Sequence, residues 1–82
     1  MKTFIFNESF ENQKDEFKDF IGGIDNIKSV NVDFCADKNM TMNEVQSIFS
    51  KISEIIGECN DIKFSCQYDE KPEYLCKITV NG

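Results

Sequence analysis

The sequence predicts an α+β fold, a two-layer sandwich of order β-α-β-α-β-β in which a four-stranded mixed sheet carries both helices on one face. Three observations predict it. Four segments alternate apolar and polar residues, two segments repeat apolar residues at helical spacing, and each of the six has a single apolar face. A segment with one apolar face must bury it against another, and the simplest closure puts both helices on the same side of one sheet. Eighty-two residues leave room for one core, so residues 1–82 are read as a single domain.

The first strand is Lys2 to Phe6, with Phe4 and Phe6 sharing a face. Phe10, Phe17, Phe20, Ile21 and Ile24 then draw an apolar stripe along a helix from about Ser9 to Ile21. Gly22-Gly23 is expected to end that helix in the left-handed conformation glycine tolerates. The second strand is Ile27 to Phe34, where Val30, Val32 and Phe34 alternate with Ser29, Asn31 and Asp33. A polar loop, Ala36 to Asn39, follows. Thr41 stands three residues before Glu44, the spacing of a reciprocal capping box. Val45, Ile48, Phe49, Ile52, Ile55 and Ile56 make the stripe of the second helix, with Gly57 at its end.

Ile62, Phe64, Cys66 and Tyr68 alternate with polar residues, as do Cys76, Ile78 and Val80 after Tyr74. With the polar turn Glu70-Lys71-Pro72-Glu73 between them, the two runs read as a β-hairpin. A register symmetric about Lys71 places Cys66 directly opposite Cys76 and lets the pair oxidise in a purified sample. The far face of the sheet is expected to show Thr3, Ser29, Asn31, Asp33, Lys63, Ser65, Gln67, Lys77 and Thr79, broken by Ile5 and Leu75.

Composition narrows the function more than any motif does. The net charge is −6, all nine basic residues are Lys, and the chain has no Arg and no His. Bidentate recognition of phosphate or carboxylate uses Arg, and proton transfer near neutral pH uses His. An acidic surface also repels nucleic acid and anionic membrane, so neither is expected as a partner. No run approaches the ~20 apolar residues of a membrane span, and the N-terminus turns acidic at Glu8, too early for a signal peptide. The expected location is the cytosol. Cys35, Cys59, Cys66 and Cys76 fit it as reduced core thiols, favoured over a disulfide framework or a metal site because no Cys-x-x-Cys and no His is present.

Asp33 and Asp37 lie four apart but lack the further converging oxygens a hard cation needs, and read as a strand Asp and a loop Asp. No glycine-rich phosphate cradle is present and no Ser or Cys has a His to activate it, so no enzyme activity, cofactor, metal or nucleotide is expected. The candidate interaction residues are Met40 and Met42, soft apolar side chains before the second helix, and Tyr68, Asp69, Glu70 and Tyr74 around the acidic turn. Each also has a packing role to weigh: a staple for Met40, turn chemistry for Asp69 and Glu70, cross-strand stacking for the two Tyr.

From Gly22 onward the chain resembles the C-terminal domain of the FtsZ/tubulin family. The matching runs are Ile27-Lys28-Ser29-Val30-Asn31-Val32, Met40-Thr41-Met42-Asn43-Glu44-Val45, Ile55-Ile56-Gly57-Glu58 and Asp61-Ile62-Lys63-Phe64, with Tyr68-Asp69-Glu70-Lys71 and Cys76 to Gly82 similar to the family's final hairpin. That resemblance implies the same two-layer domain standing alone, linked to cell division or filament regulation. It does not carry over GTP binding or hydrolysis, because the family's nucleotide domain has no counterpart here. Asn31 to Asp37 is similar to the family's hydrolysis loop, but Cys35 is an insertion and the run falls where a strand is expected.

The function expected is a non-enzymatic module that binds a protein partner or a second copy of itself through a sheet face, a sheet edge or the second helix. Two alternatives stand beside it: a domain that senses a small molecule, and an enzyme of chorismate-mutase-like architecture. The missing Arg speaks against the latter's dicarboxylate substrate.

Overall fold

A computed structural model of the chain describes residues 1–57 and 61–82. Its elements run β1 (Lys2–Phe6), α1 (Phe10–Gly22), β2 (Ser29–Ala36), α2 (Met42–Ile56), β3 (Ile62–Tyr68) and β4 (Cys76–Asn81). The expected two-layer α+β sandwich is what forms: one four-stranded mixed sheet with both helices on one face. Cys59 lies outside the described residues.

The strands lie in the order β1-β4-β2-β3. β2 and β3 are parallel, while β4 runs antiparallel to both β1 and β2. The expected hairpin of β3 with β4 is therefore absent, since β2 lies between them. The inner row of β2, Val30, Val32, Phe34 and Ala36, is buried throughout, which suits a strand with neighbours on both sides. α2 carries the chain from β2 to β3 as a parallel crossover, and residues 69–75 then step across the end of β2 to begin β4. Phe34 is the register partner of both Cys66 and Cys76. The two cysteines thus stand two strand spacings apart, roughly 9–10 Å, and outside disulfide reach. Cys35, Cys66 and Cys76 are free thiols.

The core is built from phenylalanine on the β1 side and aliphatics on the β2 side. Phe4, Phe6, Phe10, Phe17 and Phe20 form a chain of ring contacts with centroids 4.9–6.3 Å apart, joining β1 to α1. Val45, Ile52 and Ile56 bring α2 into the same cluster with Val30, Val32, Ile78 and Val80. The helices meet through Lys51, whose Nζ lies 3.1 Å from Glu11 Oε1 and 5.8 Å from the centre of the Phe10 ring. Lys51 and Lys14 together hold the Glu11 carboxyl below its usual range, chiefly through the hydrogen bond to Lys51.

Gln13 interrupts the α1 stripe yet is buried. Its Oε1 accepts the backbone N–H groups of Asn7 (2.9 Å) and Glu8 (2.8 Å), and its Nε2 donates to Ile5 O at 3.3 Å. The Ser9 side chain makes no capping bond, so Gln13 fastens the turn into α1 from inside the helix.

Three local expectations are corrected. Gly23 closes α1 with φ −85°, because its N–H bonds Asp19 O and the chain leaves through a turn that needs no left-handed residue. Among the described residues it is Gly57 that has positive φ, +79°, and its N–H bonds Ser53 O. β2 starts two residues later than expected and runs on through Cys35 and Ala36, which β3 holds by pairing Ala36 with Tyr68. At the start of α2, Thr41 Oγ1 accepts the Glu44 N–H at 3.2 Å, one half of the expected capping box. The Glu44 side chain lines a cleft instead.

Candidate functional site

Because β1, β2 and β3 all run the same way, their carboxyl ends and the N-termini of both helices gather at one end of the sheet. In open α/β sheets that end is where crevices form. A cleft of about 520 Å³ opens there, between the turn into α1, the loop into α2 and the chain that crosses toward β4. Glu8, Asp37, Glu44 and Glu73 line it together with Met40 and Tyr74, and no Lys does. Such a lining repels anions.

Cys35 and Tyr74 lie in the same wall. Burial raises the Cys35 thiol first, and the carboxylates of Asp69 and Glu73 with the Cys66 sulfur raise it further. Burial likewise raises the Tyr74 hydroxyl, with Cys35, Asp33, Cys76 and Glu73 adding to it. Both groups stay protonated at neutral pH, which leaves Cys35 a poor nucleophile.

The expected interaction residues divide. Met40 and Tyr74 share the cleft. Asp69 is turn chemistry: its N–H bonds Ala36 O and its Oδ1 accepts the Lys71 N–H at 3.1 Å. Glu70 is exposed beside it. The expected Tyr68–Tyr74 stacking is lost with the hairpin, since Tyr68 ends an edge strand and Tyr74 precedes a central one. Met42 and Tyr68 are exposed, at 46% and 66%.

Tyr68 belongs to a larger surface that those residues did not outline. The register puts Ile62, Phe64, Cys66 and Tyr68 on the helix face of β3, level with Val30, Val32, Phe34 and Ala36 of β2. Val32 is fully buried, whereas its neighbour Phe64 is 43% exposed. Phe64 touches Phe34 on one side and Phe49 of α2 on the other, with ring centroids 5.5 and 5.0 Å away. Beyond it the sheet stops.

The backbone is open on the same side. Val30 N–H bonds Asp61 O, and Asp69 N–H bonds Ala36 O. Successive residues of a strand point their N–H and C=O to opposite sides, so the odd-numbered residues of β3 bond β2. Ile62, Phe64, Cys66 and Tyr68 turn theirs outward along an edge of seven residues, none of them Pro, that no described strand pairs. Ser65 and Lys63 face the opposite, polar side, where Ser65 Oγ donates to Asp33.

α2 extends this surface upward. Phe49 marks the flank of the helix that looks over β3, and Lys51 marks the flank against α1. At 3.6 residues per turn, Met42, Gln46 and Ser53 line up with Phe49 on the β3 flank, and none is charged. The charged residues of α2, Glu44, Lys51 and Glu54, fall elsewhere on the helix. At the other edge of the sheet the corresponding flank of α1, next to Phe20, carries Glu16. In a chain with 29% charged residues, β3 and the adjoining flank of α2 form a surface whose only charge among the described residues is Lys63.

No described helix is long and apolar enough to cross a membrane, and no group of three or more acidic or cysteine side chains among the described residues is placed to hold a metal ion. Compared with known family models, curated proteins and solved structures, the chain gives no match.

Proposed function

We propose that this chain is a non-enzymatic protein-binding module whose docking surface is the β3 edge with the adjoining flank of α2. One observation carries the reading: Phe64 and Tyr68 stand exposed on a strand whose outward backbone groups have no partner among the described residues, beneath a helix flank without charge. Protein interfaces are depleted of charge and enriched in aromatic side chains at their centre, and an open edge accepts a further strand through main-chain hydrogen bonds. The free thiols of Cys35, Cys66 and Cys76 support a location in the reducing cytosol.

A capture experiment with three baits tests it. The wild-type chain and an Ile5→Lys control on the polar face are expected to retain the same protein, and a Phe64→Lys/Tyr68→Lys bait to lose it. Equal capture by all three baits, or none by any, removes the reading. The version in which the partner is a division filament draws on the family resemblance, and co-sedimentation tests it. A chain left in the supernatant at micromolar filament ends that version.

A further inference from the structure

We propose that the occupant of the β3 edge is a second copy of this chain, paired antiparallel about a two-fold axis at Ser65. The inference rests on the reading of β3 as a docking edge and goes further by naming what docks. A closed two-fold contact requires a surface that complements itself. A basic partner would be met by acidic side chains along the seam; Asp61 and Asp69 stand beyond the strand ends, and among the described residues β3 with the neighbouring flank of α2 carries only Lys63. What remains is apolar or neutral and matches its own image.

The outward backbone groups limit the register, and the number of bonds made selects it. Only residues with outward N–H and C=O groups can exchange hydrogen bonds across the new seam, and in β3 these are Ile62, Phe64, Cys66 and Tyr68. An axis at Ser65 pairs Ile62 with Tyr68 of the other copy and Phe64 with Cys66, so every outward group between Ile62 and Tyr68 gains a partner. Lys63 then faces the neutral Gln67, and an axis at Lys63 would instead oppose two ammonium groups. Just beyond the strand, Asp61 comes level with Asp69 of the other copy, a like-charge contact at each end that salt relieves. Because the axis stands normal to the sheet, side chains of the helix face stay on that face in both copies. The result is an eight-stranded sheet with α2 lying beside its symmetry mate, Phe49, Gln46 and Ser53 between them.

Geometry sets the strength. Seven residues of strand span about 23 Å, α2 about the same, and the two layers together are roughly 20 Å deep. The seam is then on the order of 450 Å² per copy, about 900 Å² in all and below the range of stable specific interfaces, so the dimer is weak and concentration-dependent. Its salt response is diagnostic. Two chains of charge −6 repel at long range, so screening tightens their association, whereas salt would weaken the docking of a basic partner.

Sedimentation equilibrium of the full chain, from about 1 to about 500 μM at low and high salt, reads both properties. The expected mass rises from 9.5 kDa toward twice that, and at lower concentration in higher salt. Ser65→Cys places two thiols across the axis with Cβ atoms about 4.5–5.5 Å apart, so mild oxidation should give a dimer linked through position 65. Thr3→Cys on the β1 edge should not. Gln46→Glu/Tyr68→Glu, both at exposed positions, should weaken association at least tenfold with the melting curve unchanged. A mass that stays at 9.5 kDa overturns self-pairing, as does a dimer that survives the double variant or links no faster at position 65 than at position 3. The broader binding reading is judged separately, by the three baits.

Discussion

Replacing Gln13 with Leu keeps the volume of a buried side chain and removes three hydrogen bonds at once. Oε1 holds the Asn7 and Glu8 N–H groups at 2.9 and 2.8 Å, and Nε2 reaches Ile5 O at 3.3 Å, so two of the bonds are short and one is weak. At about 1 kcal/mol net for each short bond, the direct loss is roughly 2 kcal/mol. Two effects oppose each other on top of that. The orphaned N–H groups belong to exposed residues and can turn to water, which holds their penalty to the low end of about 1–3 kcal/mol each. Burying the extra apolar surface of Leu returns about 1 kcal/mol. The expected outcome is a destabilisation of about 2–3 kcal/mol, read from urea unfolding at unchanged slope. Each kcal/mol lowers the thermal midpoint of a domain this size by about 4–8 °C. The loss should be local in origin, so amide exchange at Asn7 and Glu8 should speed up more than at Val32 or Ile78. A Leu variant within about 0.5 kcal/mol of the parent would refute the argument, because Gln13 would then be an ordinary stripe position.

Other parts of the fold answer to smaller experiments. Gly57→Ala forces a side chain into φ +79° and should cost about 1–2 kcal/mol in the same urea assay, although the space around Gly57 is open. Thr41→Ala removes the acceptor for the Glu44 N–H and should cost about 1 kcal/mol, with no loss showing the cap to be idle. Burial raises the Cys76 thiol far above its unfolded value, so the folded state keeps a proton that the unfolded state releases above about pH 8.5. Stability from this source is fully present below that pH and falls as pH rises, by up to about 1.4 kcal/mol per unit. Urea midpoints between about pH 8 and 9.5 should slope downward, and Cys76→Val should lessen the slope, leaving the smaller part due to Cys35. An equal slope in both proteins would show that Cys76 does not titrate in this way.

The elements were legible because amphipathic period reports local structure, and the pairing of strands was not. Both runs that flank the acidic turn alternate as a hairpin would, and alternation alone cannot say which neighbour a strand takes. The signal lay in β2: an unbroken Val30, Val32, Phe34, Ala36 row demands cover from strands on both sides, whereas Phe64 and Tyr68 tolerate the exposure of an edge. The seven residues from Asp69 to Leu75 are also longer than a tight hairpin needs and long enough to cross one strand. Of the surface along β3, Met42 and Tyr68 were among the candidate interaction residues, one as a soft apolar side chain and the other beside the acidic turn, but Phe64 and the neutral flank of α2 were not. That flank, Met42, Gln46, Phe49 and Ser53, is written in the sequence at intervals of four, three and four. It goes unnoticed when a helix is searched for its apolar stripe rather than for where its charges stop. Gln13 was hidden for the opposite reason, since a polar residue within a stripe looks like a gap until its three bonds are seen.

Amide hydrogen exchange along β3 in dilute solution, resolved residue by residue by NMR, tests the placement of this strand most directly. With β2 on one side and no described strand on the other, Lys63, Ser65 and Gln67 should be protected while Phe64, Cys66 and Tyr68 exchange freely, a strict alternation of slow and fast. Uniform protection of all six at the lowest concentration, or slow exchange at Phe64 and Cys66 with fast exchange at Ser65, would contradict an open edge beside β2 and the docking surface built upon it.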